Sequence, residues 1–127
     1  MVDLDRLERA LIQAARERRP VTYGQLLAFF EWKVTQITVA ALCRDLGRVE
    51  ARWAGSGWPE LACLVVRKSD GLPGEGYFTS QRQEGAYAGP SVGPAAEAFV
   101  RARQQVAFAW AAGEDGSAWA AGTEVPV

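Results

Sequence analysis

With 127 residues, 49% of them hydrophobic and 23% charged, the chain has the size and composition of one globular domain able to bury roughly two-thirds of its unfolded surface. It contains no histidine, which removes the usual general base, the usual partner of a serine or cysteine nucleophile and the commonest metal ligand. The formal net charge of -1 runs against the basic excess typical of nucleic-acid binders.

Residues 4 to 19 read as an amphipathic helix, because Leu4, Leu7, Leu11 and Ala15 recur at helical spacing with Arg6, Arg9 and Arg16 between them. Asp3 is placed to cap it and Pro20 to end it. In VTYGQLLAFF, Val21 and Thr22 predict a short extended entry and Thr22 the cap of a second helix carrying Leu26, Leu27, Phe29 and Phe30. The third helix is expected from about Thr38 to Ala54, since Val39, Leu42, Leu46, Val49 and Trp53 form one apolar stripe with spacings of 3, 4, 3 and 4. Gly55-Ser56-Gly57 breaks it. LACLVV then reads as a strand bounded by Pro59 and by the turn Ser69-Asp70-Gly71, and GLPGEGYF as a returning second strand that completes a β-ribbon.

Residues 80 to 94 are expected as a loop, and Pro94 opens a last helix with Phe99, Ala102, Val106 and Trp110 on one face. Residues 1–112 thus read as a single domain. Residues 113–127 read as an acidic tail, in which Glu114, Asp115 and Glu124 have no Lys or Arg for company; setting these three apart from the 15 acidic residues leaves 12 against 14 basic ones. The expected fold class is α+β, mainly helical: a winged helix-turn-helix with a β-ribbon wing and an additional C-terminal helix.

No apolar run approaches the roughly 20 residues of a membrane span, and MVDLDRLERA lacks a basic segment leading into an apolar one. A cytoplasmic protein is expected, with Cys43 and Cys63 as reduced thiols too few for a disulfide framework and too far apart in sequence for a zinc site. No metal and no cofactor is expected.

Function is read mainly from the third helix, where Arg44, Arg48 and Arg52 lie four residues apart on the side opposite the apolar stripe. Guanidinium groups fork to phosphate oxygens or to the acceptor edge of guanine, and Arg67 and Lys68 add charge near the tip of the expected ribbon. The competing account is a solvated face with Asp45 and Glu50 as local partners. Trp32 and Trp58, at element boundaries, are candidate partner-facing aromatics, whereas Trp53 and Trp110 fit core stripes and Trp119 lies in the tail.

VTYGQLLAFF, the arginine-bearing helix and CLVVRKSDGLPGEGY resemble the winged-helix half of alkylguanine DNA alkyltransferases and alkyltransferase-like proteins, whose pattern runs from TYGELA through PCHRVV and SDG to GGY. Cys63 precedes Ser69 by six residues, as the alkyl-accepting cysteine does there. The family's PCHR is Ala62-Cys63-Leu64-Val65 here, without the histidine and arginine that follow the thiol, and the arginine that takes the place of a flipped base is absent from its usual position. Cys63 is therefore expected to be an inert core thiol, and a lesion sensor is a weaker expectation than plain DNA binding. A closer resemblance is to uncharacterised bacterial and HNH-nuclease-associated domains, carried by Thr22-Tyr23-Gly24, Asp45-Leu46-Gly47-Arg48, Pro59 through Lys68 and GLPGEGY, and it implies an association with DNA transactions.

GLPGEGY itself reads as a structural turn and not a phosphate cradle, because no helix is expected after it and Glu75 would repel an anion. Ser56, Ser69, Thr79 and Ser80 have no histidine partner, and no close carboxylate pair is evident in the sequence. The expectation is a non-catalytic, duplex-DNA-binding domain, the alternative a protein-interaction module or accessory subunit of a DNA-processing or defence system.

Overall fold

The structure, a computed structural model, describes residues 3–53 and 55–113. It is α+β and mainly helical: α1 (Leu4–Arg16), β1 (Val21–Thr22), α2 (Tyr23–Phe29), α3 (Gln36–Arg52), a 3-10 turn (Ala62–Leu64), β2 (Val65–Val66), α4 (Glu75–Gln83) and α5 (Pro94–Ala111). No helix among the described residues is long and apolar enough to cross a membrane.

Local sequence accounts for most of the boundaries. Asp3 accepts the Asp5 amide at 2.9 Å and caps α1. At the other end Arg18 adopts φ 58° and the Arg19 amide reaches back to the Ala14 carbonyl, so the helix stops short of Pro20. Thr22 and Gln25 form a reciprocal capping box on α2, and Thr35 and Thr38 form another on α3, which therefore starts two residues before the expected Thr38. Its C-terminal residue is Arg52, and Ala54 lies outside the described residues.

The apolar stripe of α3 is as read: Leu42, Leu46, Val49 and Trp53 are buried and Val39 packs against them. They join Leu7, Leu11 and Ile12 of α1, Leu26 and Leu27 of α2, Leu61 to Val65, and Trp110 of α5 in one core. A fully buried side chain of this kind contributes roughly 1.5–3 kcal/mol, so α1, α3 and α5 closing on the 3-10 turn carry the fold. A second, smaller cluster of Leu72, Phe78, Ala96 and Val100 seats α4 on α5.

The expected β-ribbon is corrected. β2 pairs with β1, in parallel, with Val21 opposite Val65 and Thr22 opposite Val66, and Ala62–Leu64 form a 3-10 turn instead of strand. The chain does turn back after β2: Gly71, at φ 72°, donates to the Arg67 carbonyl, and the Arg67 amide reaches Leu72 O at 2.7 Å. Pro73 follows and has no N–H to continue a ladder. Gly74 then caps α4, so part of GLPGEGYF and the first residues of the expected 80–94 loop are helical. Residue 74 must be small, since a Cβ there would come within 3.1 Å of the Tyr23 hydroxyl, to which the Gly74 amide donates at 3.0 Å.

The last helix starts at Pro94 as expected but is rotated from the expected face. Ala96, Val100, Ala107, Phe108, Trp110 and Ala111 are buried, Phe99 is partly buried, and Ala102 and Val106 face solvent. Small alanines let α5 lie close to its neighbours, and Gln104 enters the interior to donate to the Cys63 carbonyl at 2.9 Å.

Candidate functional site

An open groove of about 1250 Å³ runs along α3. One wall is the side of α3 from Val39 to Trp53; the other is built from the start of α2, the Trp58–Glu60 segment, Arg67, Lys68 and α4. Tyr23, Cys43, Arg44 and Gly74 line one end of the groove, where the Gly74 amide donates to the Tyr23 hydroxyl, whose pKa is raised above its ordinary value chiefly by burial. Nearly two turns further along α3, Glu50 and the Glu60, Tyr77, Gln81 and Glu84 side chains form the other end.

The five cations expected to meet DNA fall into three kinds of environment. Arg44 and Lys68 are exposed, line the groove, and make no ion pair among the described residues. Arg48 is exposed and holds Asp45 loosely at 3.3 Å. Arg52 and Arg67 are engaged: Arg52 bonds Asp5 at 2.6 Å and lies 3.6 Å from Glu8, pinning α3 to α1, while Arg67 pairs with Asp70 at 3.0 Å and donates to the Ser91 carbonyl. The ridge of three arginines is thus a ridge of two with a brace below it.

The aromatic candidates are both partly buried. Trp58 lies between Trp53 and Trp110, with ring centroids 5.2 and 4.8 Å away, and one side of it lines the groove. Trp32 packs on the main core. Trp119 lies outside the described residues.

Glu50, a local partner of the arginines in the competing account, is engaged elsewhere. Its Oε2 accepts the backbone amides of Leu61 and Ala62 at 2.9 and 3.1 Å, tying α3 to the 3-10 turn. Burial, reinforced by the nearby charges of Glu60 and Glu84, pushes its carboxyl up to about 7. Glu60 accepts from the Tyr77 hydroxyl, from Gln81 Nε2 at 3.2 Å and from Arg103 at 2.9 Å. Carboxylates separate in sequence thus share one neighbourhood, which the residue spacing did not foreshadow; the one available signal was a glutamate adjoining the apolar stripe of α3.

A search of family models, of curated proteins and of solved structures finds no match to the chain.

Cys63, the residue carrying the likeness to an alkyl acceptor, is fully buried with its thiol directed at the Glu60 carbonyl, 3.8 Å away. Burial first, then the charges of Glu60 and Glu50, push its pKa upward, the reverse of what a nucleophilic thiolate requires. Ser56 is spent on the Trp53 carbonyl. Among the described residues no group of three or more His, Cys, Asp or Glu side chains is placed to hold a metal ion. GLPGEGY, expected to precede no helix, does lead into α4, but Glu75 stands in the first turn.

Proposed function

We propose that the protein is a non-catalytic, cytoplasmic, winged-helix-like domain that binds duplex DNA through the solvent-facing side of α3. The observation that carries this reading is the exposed Arg44, which makes no ion pair among the described residues and stands on α3 almost diametrically opposite the buried Leu46, Val49 and Trp53. Arg48 extends the same face, and Lys68 on the turn after β2 supplies a backbone contact. Ala40, Gly47 and Ala51 flank these arginines, so nothing bulky holds α3 away from a groove. At its N-terminal end α3 presents exposed Gln36 and Ile37, side chains suited to an adenine edge and a thymine methyl. The likeness of Thr22-Tyr23-Gly24 and GLPGEGY to DNA-associated domains supports the same reading. Arg52 and Arg67, committed to internal ion pairs, are left out of the interface.

Fluorescence anisotropy with a labelled duplex at low salt tests it. Three phosphate contacts contribute about -2.7 to the log-log salt slope, so joint replacement of Arg44, Arg48 and Lys68 by Ala should weaken binding and flatten the slope by up to that amount in a protein with an unchanged circular dichroism spectrum. Absence of wild-type binding at low salt, or a triple variant with unaltered affinity and slope, would refute the reading.

One observation favours a second reading, the protein-interaction module or accessory subunit. Phe29, Val34 and Ile37 are 51%, 62% and 80% exposed around the α2–α3 connection, an apolar concentration of the kind that marks contact surfaces. If wild type binds no duplex, this surface becomes the one to probe.

A further inference from the structure

We propose that the end of the groove bounded by Glu50, Gln81 and Glu84 is a binding site for an organic cation of the guanidinium type. This goes beyond DNA binding and uses none of the residues assigned to it.

The first observation is an unused acceptor. Gln81 is only 6% exposed and lines the groove, and its Oε1 has no hydrogen-bond partner. Its orientation is set by the other half of the amide, because Nε2 donates to the Glu60 carboxylate and a flipped amide would set oxygen against oxygen. A buried carbonyl oxygen without a donor is costly, and native proteins keep few of them.

The second observation concerns the charges. Of the acidic residues lining the groove, Glu60 is engaged by Arg103 and Glu75 by Arg82. Glu84 has no ion pair among the described residues, and Glu50 has none either, with both of its backbone hydrogen bonds falling on Oε2. Among the described residues Glu50 Oε1, Gln81 Oε1 and the Glu84 carboxylate are therefore acceptors without a donor, in a groove that the rings of Trp58 and Tyr77 also line. Acceptors alone call for a ligand made of donors. A guanidinium has five N–H groups, no acceptor, and a flat face that stacks on aromatic rings. A phosphate or carboxylate would face the charges of Glu84 and of the ionised Glu50 here.

Cation binding demands an ionised Glu50. Burial and the Glu60 and Glu84 charges keep its carboxyl near 7, and Arg103, which reaches this cluster, is bound to Glu60. A bound guanidinium displaces the proton, so affinity should rise about tenfold from pH 6 to pH 8, following the ionised fraction.

The experiment is an NMR titration of the full chain, following the Gln81 side-chain amide and the Trp58 indole, with methylguanidinium, methylammonium and a blocked pentapeptide whose single functional side chain is arginine. Saturable methylguanidinium binding, tighter than methylammonium and tenfold tighter at pH 8 than at pH 6, is expected. Glu50→Gln should abolish that pH dependence, and Gln81→Leu should weaken binding about tenfold while leaving duplex DNA affinity unchanged, which separates this site from the DNA reading. A peptide that binds more tightly than methylguanidinium identifies a partner's arginine as the source; a peptide that binds more weakly identifies a free small cation. No saturable binding of either guanidinium probe by the folded wild type, or the same affinity in wild type, Glu50→Gln and Gln81→Leu, would overturn the proposal.

Discussion

Replacing Glu50 by Gln should make the protein more stable at neutral and alkaline pH. A carboxyl whose pKa is higher in the folded than in the unfolded chain binds its proton more tightly when folded. Its contribution to stability is therefore complete below the unfolded value and is lost as pH rises through the folded one. For Glu50 these values are an ordinary 4.5 and about 7. At about 1.4 kcal/mol per pH unit, its ionisation withdraws about 3 kcal/mol from folding, of which about 2.5 kcal/mol falls between pH 5 and pH 8. The chain has no histidine to titrate in that interval. The carboxyls held below their ordinary values by Arg52, by Gln13 and Arg19, by Arg67, and by Ser91 and Arg82, which are Asp5, Glu17, Asp70 and Glu75 respectively, act in the opposite sense and only in more acid solution. Gln at position 50 retains an oxygen for the Leu61 and Ala62 amides and never ionises, so at pH 8 the variant should exceed wild type by about 2 kcal/mol once the weaker hydrogen bonds of a neutral acceptor are allowed for. Urea titrations followed by tryptophan fluorescence at pH 5, 6, 7 and 8 measure this directly. A wild type equally stable at pH 5 and pH 8, or a Glu50→Gln variant with the wild-type pH dependence, would refute the reasoning.

Three further outcomes follow from the packing. Arg52→Ala should lower the urea midpoint by releasing Asp5 and Glu8 of α1, whereas Arg44→Ala leaves it unchanged; equal midpoints for the two variants would remove the brace assigned to Arg52. Thr22→Ala, which takes apart the α2 capping box, should cost about 1 kcal/mol in the same assay. Native protein should react with a thiol reagent at the exposed Cys43 and only upon unfolding at the buried Cys63, and incubation with alkylated DNA should leave the intact mass unaltered; a stoichiometric adduct on Cys63 would sink the non-catalytic reading.

The elements most legible in the sequence are those specified by adjacent residues. Asp3, Thr22 and Pro94 mark helix starts because caps act within one turn, and the α3 stripe is buried because its period matches the helix. Misreadings arise where two local accounts are nearly equal. GLPGEGYF has the aromatics of a strand, but Pro73 ends the ladder and the polar, helix-tolerant run from Glu75 to Gln83 settles as α4. In α5 the larger apolar residues Val106 and Phe99 drew the expected face, while close contact with the 3-10 turn selects the alanines and Gln104.

The candidate site separates these two kinds of information more sharply. Arg44 and Arg52 occupy equivalent places in a four-residue spacing, and helical phase alone assigns them the same role. What divides them is Asp5, 47 residues from Arg52 in sequence and 2.6 Å away in the fold, with nothing comparable opposite Arg44 among the described residues. Likewise Glu50 reads as a surface glutamate until Leu61 and Ala62 bring their amides to it, and Gln81 reads as a loop residue until α4 turns it inward to Glu60. Phase along a helix is a local property and can be read from spacing. The partner that decides whether a charge is free to act, or whether an acceptor is left open, comes from elsewhere in the chain, and on that choice both the proposed DNA-binding face and the acidic end of the groove depend.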